Sequence, residues 1–126
     1  MTLRERRVAF SAAVVELLAK FPKHAWSDAS WIVEFAFDEG TIHSPRRVRN
    51  ADGSTATMDD AVHIRTSRHY DGLALDLLVF INGVYITDGS HPVWVEIDAM
   101  AKAVDPRLGL GLHFHDANHL SWEEGQ

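Results

Sequence analysis

The chain contains no cysteine, which removes disulfides, thiolate zinc sites and cysteine nucleophiles together. The redox compartment stays open, since a protein without thiols works in either. Nowhere is there an apolar run of the roughly 20 residues that spanning a bilayer requires. Positive charge is also scarce. Lys and Arg number 12 against 18 Asp and Glu, for a net charge of −6 with His neutral, so neither nucleic acid nor an anionic membrane is an expected partner. Internal repeats and low-complexity tracts are missing too, which excludes solenoids and linkers.

What is present fits one soluble domain over residues 1–126, expected as a monomer. Hydrophobic residues make up 46% of the chain, enough for a real core. The basic start, Arg4 to Arg7, followed by Val8 to Leu18, superficially resembles a signal peptide. Ser11 and Glu16 break its apolar run, however, and no small-residue cleavage site precedes Lys20 and Pro22. It reads as an amphipathic helix, which implies synthesis in the cytoplasm without a signal peptide. Histidine is the unusual component: six of eight (His63, His69, His91, His113, His115 and His119) fall between residues 63 and 119. That justifies a search for a metal site.

Hydrophobic spacing predicts a helix over residues 4–21, with Phe10, Val14, Leu17, Leu18 and Phe21 on one face and Pro22 as its stop. Residues 31–37 read as a strand, 38–60 as a long polar loop, and 61–64 as a short strand before a polar turn over 65–72. Leu73 to Phe80 is the clearest strand. Asn82-Gly83 turns it into a partner over residues 84–87. Asp88-Gly89-Ser90 is the expected cap of a helix over residues 92–103, ended by Asp105-Pro106. A glycine-rich stretch, 108–112, leads to a last extended segment over 114–122. Trp26, Trp31, Trp94 and Trp122 are expected as packing residues, and His24, His63 and His91 as surface or satisfied polar groups.

Apolar residues on both faces of Leu73 to Phe80 predict a strand buried on both sides, with Asp76 in its middle beside Ala74, Leu78 and Phe80. A buried carboxylate needs a partner, because desolvation costs several kcal/mol. An arginine, a set of backbone N–H groups or a cation would each serve. His69 stands seven residues upstream, and a chain reversal at Gly72 can bring it beside Asp76. Imidazole and carboxylate are the ligand types of a catalytic zinc, which takes a third protein ligand and keeps one position open. Further on, Asp116 precedes His119 by three residues. If His119 binds a metal, Asp116 can lie over the open position as the base that a bound water requires.

The segment Ser67-Arg68-His69-Tyr70-Asp71-Gly72-Leu73-Ala74-Leu75-Asp76-Leu77 resembles the SxHxxGxAxDL motif of the zinc D-Ala-D-Ala carboxypeptidase and L-alanyl-D-glutamate peptidase family. Every fixed position matches. Asp116-Ala117-Asn118-His119-Leu120-Ser121 is similar to the family's later D-x-x-H-[FL]-[SE] segment, in the form seen in phage endolysins. The resemblance covers residues 61–122 well and residues 1–60 poorly.

It implies an α+β Hedgehog/DD-peptidase fold, a small antiparallel sheet with flanking helices. It also implies one Zn²⁺ on His69, Asp76 and His119, with Asp116 as general base, and a peptidoglycan stem peptide as substrate, cut at the bacterial cell wall. An L-alanyl-D-glutamate endopeptidase of the endolysin type is the leading expectation. A D-Ala-D-Ala carboxypeptidase or dipeptidase is the alternative, and a noncatalytic zinc-binding module of the same fold is a third.

Two departures from the family pattern stand out. Where many members carry an arginine shortly after the first strand, this chain has His43, so the substrate-binding candidates are His43, Arg65, Ser67 and Arg68, with Arg46 and Arg47 also in reach. The family's tryptophan–glycine pair before the last motif is here Leu110-Gly111. His113 and His115 alternate on the last segment and are second choices for a role near the site.

Overall fold

A computed structural model describes residues 1–38, 46–49, 55–58, 72–112 and 116–123. The sequence order is helix α1 (Leu3–Lys20), strands β1 (Val33–Asp38), β2 (Arg46–Arg49), β3 (Thr55–Met58), β4 (Ala74–Ile81) and β5 (Val84–Tyr85), helix α2 (Pro92–Val104), then β6 (Leu108–Gly111) and β7 (Asp116–Trp122). The class is α+β: among the described residues there are two α-helices and a five-stranded antiparallel sheet of order β1-β4-β7-β6, with β5 also on β4, plus a separate β2-β3 pair. Among the described residues, no helix is long and apolar enough to cross a membrane.

α1 starts on a reciprocal cap. The Thr2 hydroxyl accepts from the Glu5 N–H at 3.1 Å, and the Glu5 carboxylate accepts from the Thr2 N–H at 3.3 Å. Phe10, Val14, Leu17 and Phe21 are buried as their spacing predicts, and Pro22 lies in a short 3₁₀ turn, Phe21–Lys23, that ends the helix. These side chains join Val93, Trp94, Ile97 and Ala101 of α2 and Leu77, Val79, Leu120 and Trp122 of the sheet in one core. Trp94 and Trp122 are buried, while Trp26 and Trp31 pack against the core's edge.

β4 differs from its expected setting, because it is buried along one face but only at one end of the other. Leu77 and Val79 are 0% exposed and face the core, whereas on the alternate face Ala74 is buried and Asp76 largely shielded, but Leu78 and Phe80 are only partly buried. Both helices contribute to the one core, on the Leu77 and Val79 face. The Asn82-Gly83 turn forms as expected, with φ of 52° and 80°, values typical of tight hairpins. Its second strand is short, pairing only Tyr85 with Phe80 and Val84 with Ile81.

Three further expectations are corrected. Residues 38–60 are not loop throughout: β2 and β3 pair from Arg46↔Met58 to Arg49↔Thr55, with Asp52-Gly53 between them in sequence. The cap of α2 is His91, whose Nδ1 accepts from the Val93 N–H at 3.0 Å. Asp88 instead fixes the preceding turn through Ser90. The glycine-rich stretch contains a strand, β6, because α2 satisfies its outer edge: Asp98 accepts from the Leu110 N–H at 2.8 Å, and Lys102 donates to the Leu108 carbonyl at 3.2 Å. The expected strand over residues 61–64 and the turn through residue 71 lie outside the described residues, as do His43, His63, Arg65, Ser67, Arg68, His69, His113 and His115. Gly72 is described, and its φ of 71° is the left-handed conformation a chain reversal there requires.

Candidate metal centre

The two edges of β4 organise the site. Along one edge β1 pairs over the whole strand, ending with Asp38 opposite Asp76. The other edge is shared: β7 pairs with residues 74–76, and β5 with 80–81. Asp76 and His119 are register partners in the β4–β7 ladder, which places their side chains on one face at neighbouring positions. Three residues earlier on β7, Asp116 lies opposite Gly111 at an irregularity of the β6–β7 pairing. Such bulges redirect a side chain. Here the bulge lies where Asp116 leaves the ladder's regular alternation.

His119 Nδ1 stands 4.0 Å from Asp76 Oδ1 and 3.7 Å from Asp116 Oδ2. Both separations exceed the 2.7–3.2 Å of a hydrogen bond. Two donors of a tetrahedral zinc, each about 2.0–2.1 Å from the ion, stand about 3.3–3.4 Å apart. Asp76 and His119 therefore need to close by roughly 0.6–0.7 Å, within the reach of small χ rotations. Both side chains are 15% exposed and Asp116 is 47% exposed. An inner pair is thus shielded, while the third group stays open to solvent. Asp76 Oδ1 itself is sealed from water. Two carboxylates around one imidazole make the position favourable for positive charge.

These donors fit zinc by type, one imidazole nitrogen and carboxylate oxygens. Among the described residues, no group of three His, Asp or Glu side chains could hold a metal ion. Of the expected ligands, Asp76 and His119 come together, and His69 lies outside the described residues. Asp116 stands beside His119 at 3.7 Å, a separation open to a base or to a further ligand.

Asp38 was not among the expected site residues. As sequence it belongs to the turn signal Asp38-Glu39-Gly40, yet it closes β1 in register with Asp76. Only strand pairing reveals it. Searched against family models, curated proteins and solved structures, the chain matches none of them.

Proposed function

We propose that the chain is a zinc peptidase of the Hedgehog/DD-peptidase kind that hydrolyses amide bonds in peptidoglycan stem peptides, acting as an endolysin-type L-alanyl-D-glutamate endopeptidase. The observation that carries it is the pairing of Asp76 with His119 across two strands, with Asp116 3.7 Å from the same imidazole. The motifs over residues 67–77 and 116–121 supply the direction, and the fold class agrees with them.

His69, Asp76 and His119 would hold the zinc, which when bound lowers the pKa of water to about 7 and polarises the scissile carbonyl. The β4–β7 ladder fixes where Asp76 and His119 sit, so little reorganisation accompanies the reaction. Asp116 accepts the proton of the attacking water at its carboxylate and passes it to the leaving amine. Its half-exposed position suits that exchange better than the shielded position of Asp76. Such a residue is needed by an enzyme and not by a structural zinc module.

Digestion of purified peptidoglycan, with mass spectrometry of the released fragments, tests the function and the bond together. New amino termini at D-glutamate support the endopeptidase. Release of D-alanine alone assigns the carboxypeptidase alternative. No fragment from zinc-loaded protein would point to a noncatalytic module.

A further inference from the structure

The fork on the edge of β4 leaves a cleft of about 250 Å³, lined by Tyr85, Thr87, Gly89, Trp94, Asp116 and Asn118 among others. It exists because β5 and β7 take opposite ends of one strand edge and the chain between their paired segments diverges. The Ile86 N–H still reaches the Val79 carbonyl at 2.9 Å, which fixes one wall. Gly89 lies against Ala117 and closes the other side: a Cβ at Gly89 would stand 3.7 Å from that of Ala117. The volume suits one amino-acid side chain and not a drug-sized molecule. Asp116 belongs both to this cleft and to the group around His119.

The lining chemistry selects the occupant. A helix N-terminus beside a cleft ordinarily favours an anion, but the first turn of α2 has used its donors. Pro92 has no N–H, the Val93 N–H goes to His91 Nδ1 at 3.0 Å, and the Trp94 N–H goes to the His91 carbonyl at 3.2 Å. The Trp94 indole N–H is taken by the Asp88 carbonyl at 2.9 Å. No Lys, Arg or His stands among the described lining residues. The polar residues that line the cleft are Tyr85, Thr87, Asp116 and Asn118, whose side chains can all accept from an ammonium group.

We propose that this cleft is a specificity subsite for a substrate residue carrying a free side-chain amine, its ammonium accepted by Thr87 and Asn118 within the negative field of Asp116, whose carboxylate stays free to act as base. The inference rests on the peptidase function proposed above and extends it from the bond to a neighbouring residue. A side-chain carboxylate is disfavoured in the same place.

Two measurements separate the subsite from the function. The first is kcat/KM for two stem peptides that differ only in whether a lysine side chain is free or N-acetylated. The free amine should be preferred by about fivefold, the scale of a partly exposed ion pair. Thr87→Lys, which sets a like charge in the cleft, should abolish that preference while its melting temperature shows that it folds. Equal rates on both peptides would overturn the subsite. The second is binding without turnover, by titrating the free-amine and acetylated peptides into the protein and following the Thr87 and Asn118 backbone amides by NMR. Larger shifts and several-fold tighter binding with the free amine are expected. Equal binding, or none, contradicts the subsite. Cleavage of neither peptide alongside selective binding of the amine would refute the peptidase function and leave the subsite standing.

Discussion

Asp76 and His119 face one another across the β4–β7 ladder, a carboxylate oxygen and an imidazole nitrogen 4.0 Å apart and both largely shielded from water. Backbone pairing holds residues 43 positions apart in sequence in this relation. Loss of either side chain should therefore alter the site with little change in the strands themselves.

Asp116 should behave differently from that pair. Asp116→Asn keeps the side chain's shape but cannot accept a proton. Zinc content and folding should stay near wild type while turnover falls by a factor on the order of 10² to 10⁴. Asp76→Asn should lose zinc and activity together. Parallel metal analysis and peptide hydrolysis check both. An Asp116→Asn protein that loses its zinc would make Asp116 a ligand.

Two glycines of β6 should respond unequally to a methyl group. A Cβ at Gly111 would stand 2.7 Å from the Asp116 backbone carbonyl, which cannot swing aside. Gly111→Ala should cost about 1–3 kcal/mol, the scale of overpacking, and should also lower turnover, because Asp116 moves with its backbone. At Gly109 the obstacles are the tips of Lys102, Glu123 and Asp98, and the first two can swing away. Gly109→Ala should cost about 1 kcal/mol, the scale of the Lys102–Glu123 pair and the Lys102 hydrogen bond to the Leu108 carbonyl that would be displaced. Urea denaturation of the two variants decides; equal destabilisation would refute the distinction.

Glu96 ties the segment before β1 to α2. Its carboxylate accepts from the Ser27 N–H at 2.8 Å, the Ser27 hydroxyl at 2.7 Å and His24 Nε2 at 2.9 Å. Burial pushes its pKa up, but the hydrogen bonds from Ser27 and His24 outweigh that and hold it below 4.5. With the folded value depressed, this stability is complete above about pH 4.5 and is lost as pH falls through the folded pKa. Glu96→Gln should destabilise by about 1–3 kcal/mol at pH 7, and the gap to wild type should narrow as pH falls below the ordinary carboxylate range. A gap independent of pH would show that the charge of Glu96 contributes nothing.

Much of this was legible in the chain. The buried face of α1, the Asn82-Gly83 hairpin and the Pro92 start of α2 follow from spacing and turn chemistry, and each forms. β6 was hidden because Leu108-Gly109-Leu110-Gly111 lacks β-branched residues, and its edge is satisfied by Asp98 and Lys102 from another element. β2 and β3 were hidden by their polar composition. The two-sided burial expected of β4 failed because Leu78 and Phe80 are apolar yet lie on the sheet face away from the helices. Motif spacing singled out Asp76, Asp116 and His119, and both carboxylates lie within 4.0 Å of the His119 imidazole nitrogen. The register of Asp38 opposite Asp76 could not be read that way, since it depends on which strand lies beside β4.

Zinc stoichiometry is the most direct test of the central claim. Protein reconstituted at neutral pH and freed of excess metal should carry about one zinc per chain, and His69→Ala, Asp76→Ala and His119→Ala should each lose most of it. Chelation should lower the melting temperature through binding linkage, and affinity should fall as pH drops through about 6, where protons compete for histidine nitrogen. Wild-type protein without zinc after reconstitution, or three alanine variants that retain it, would contradict the account.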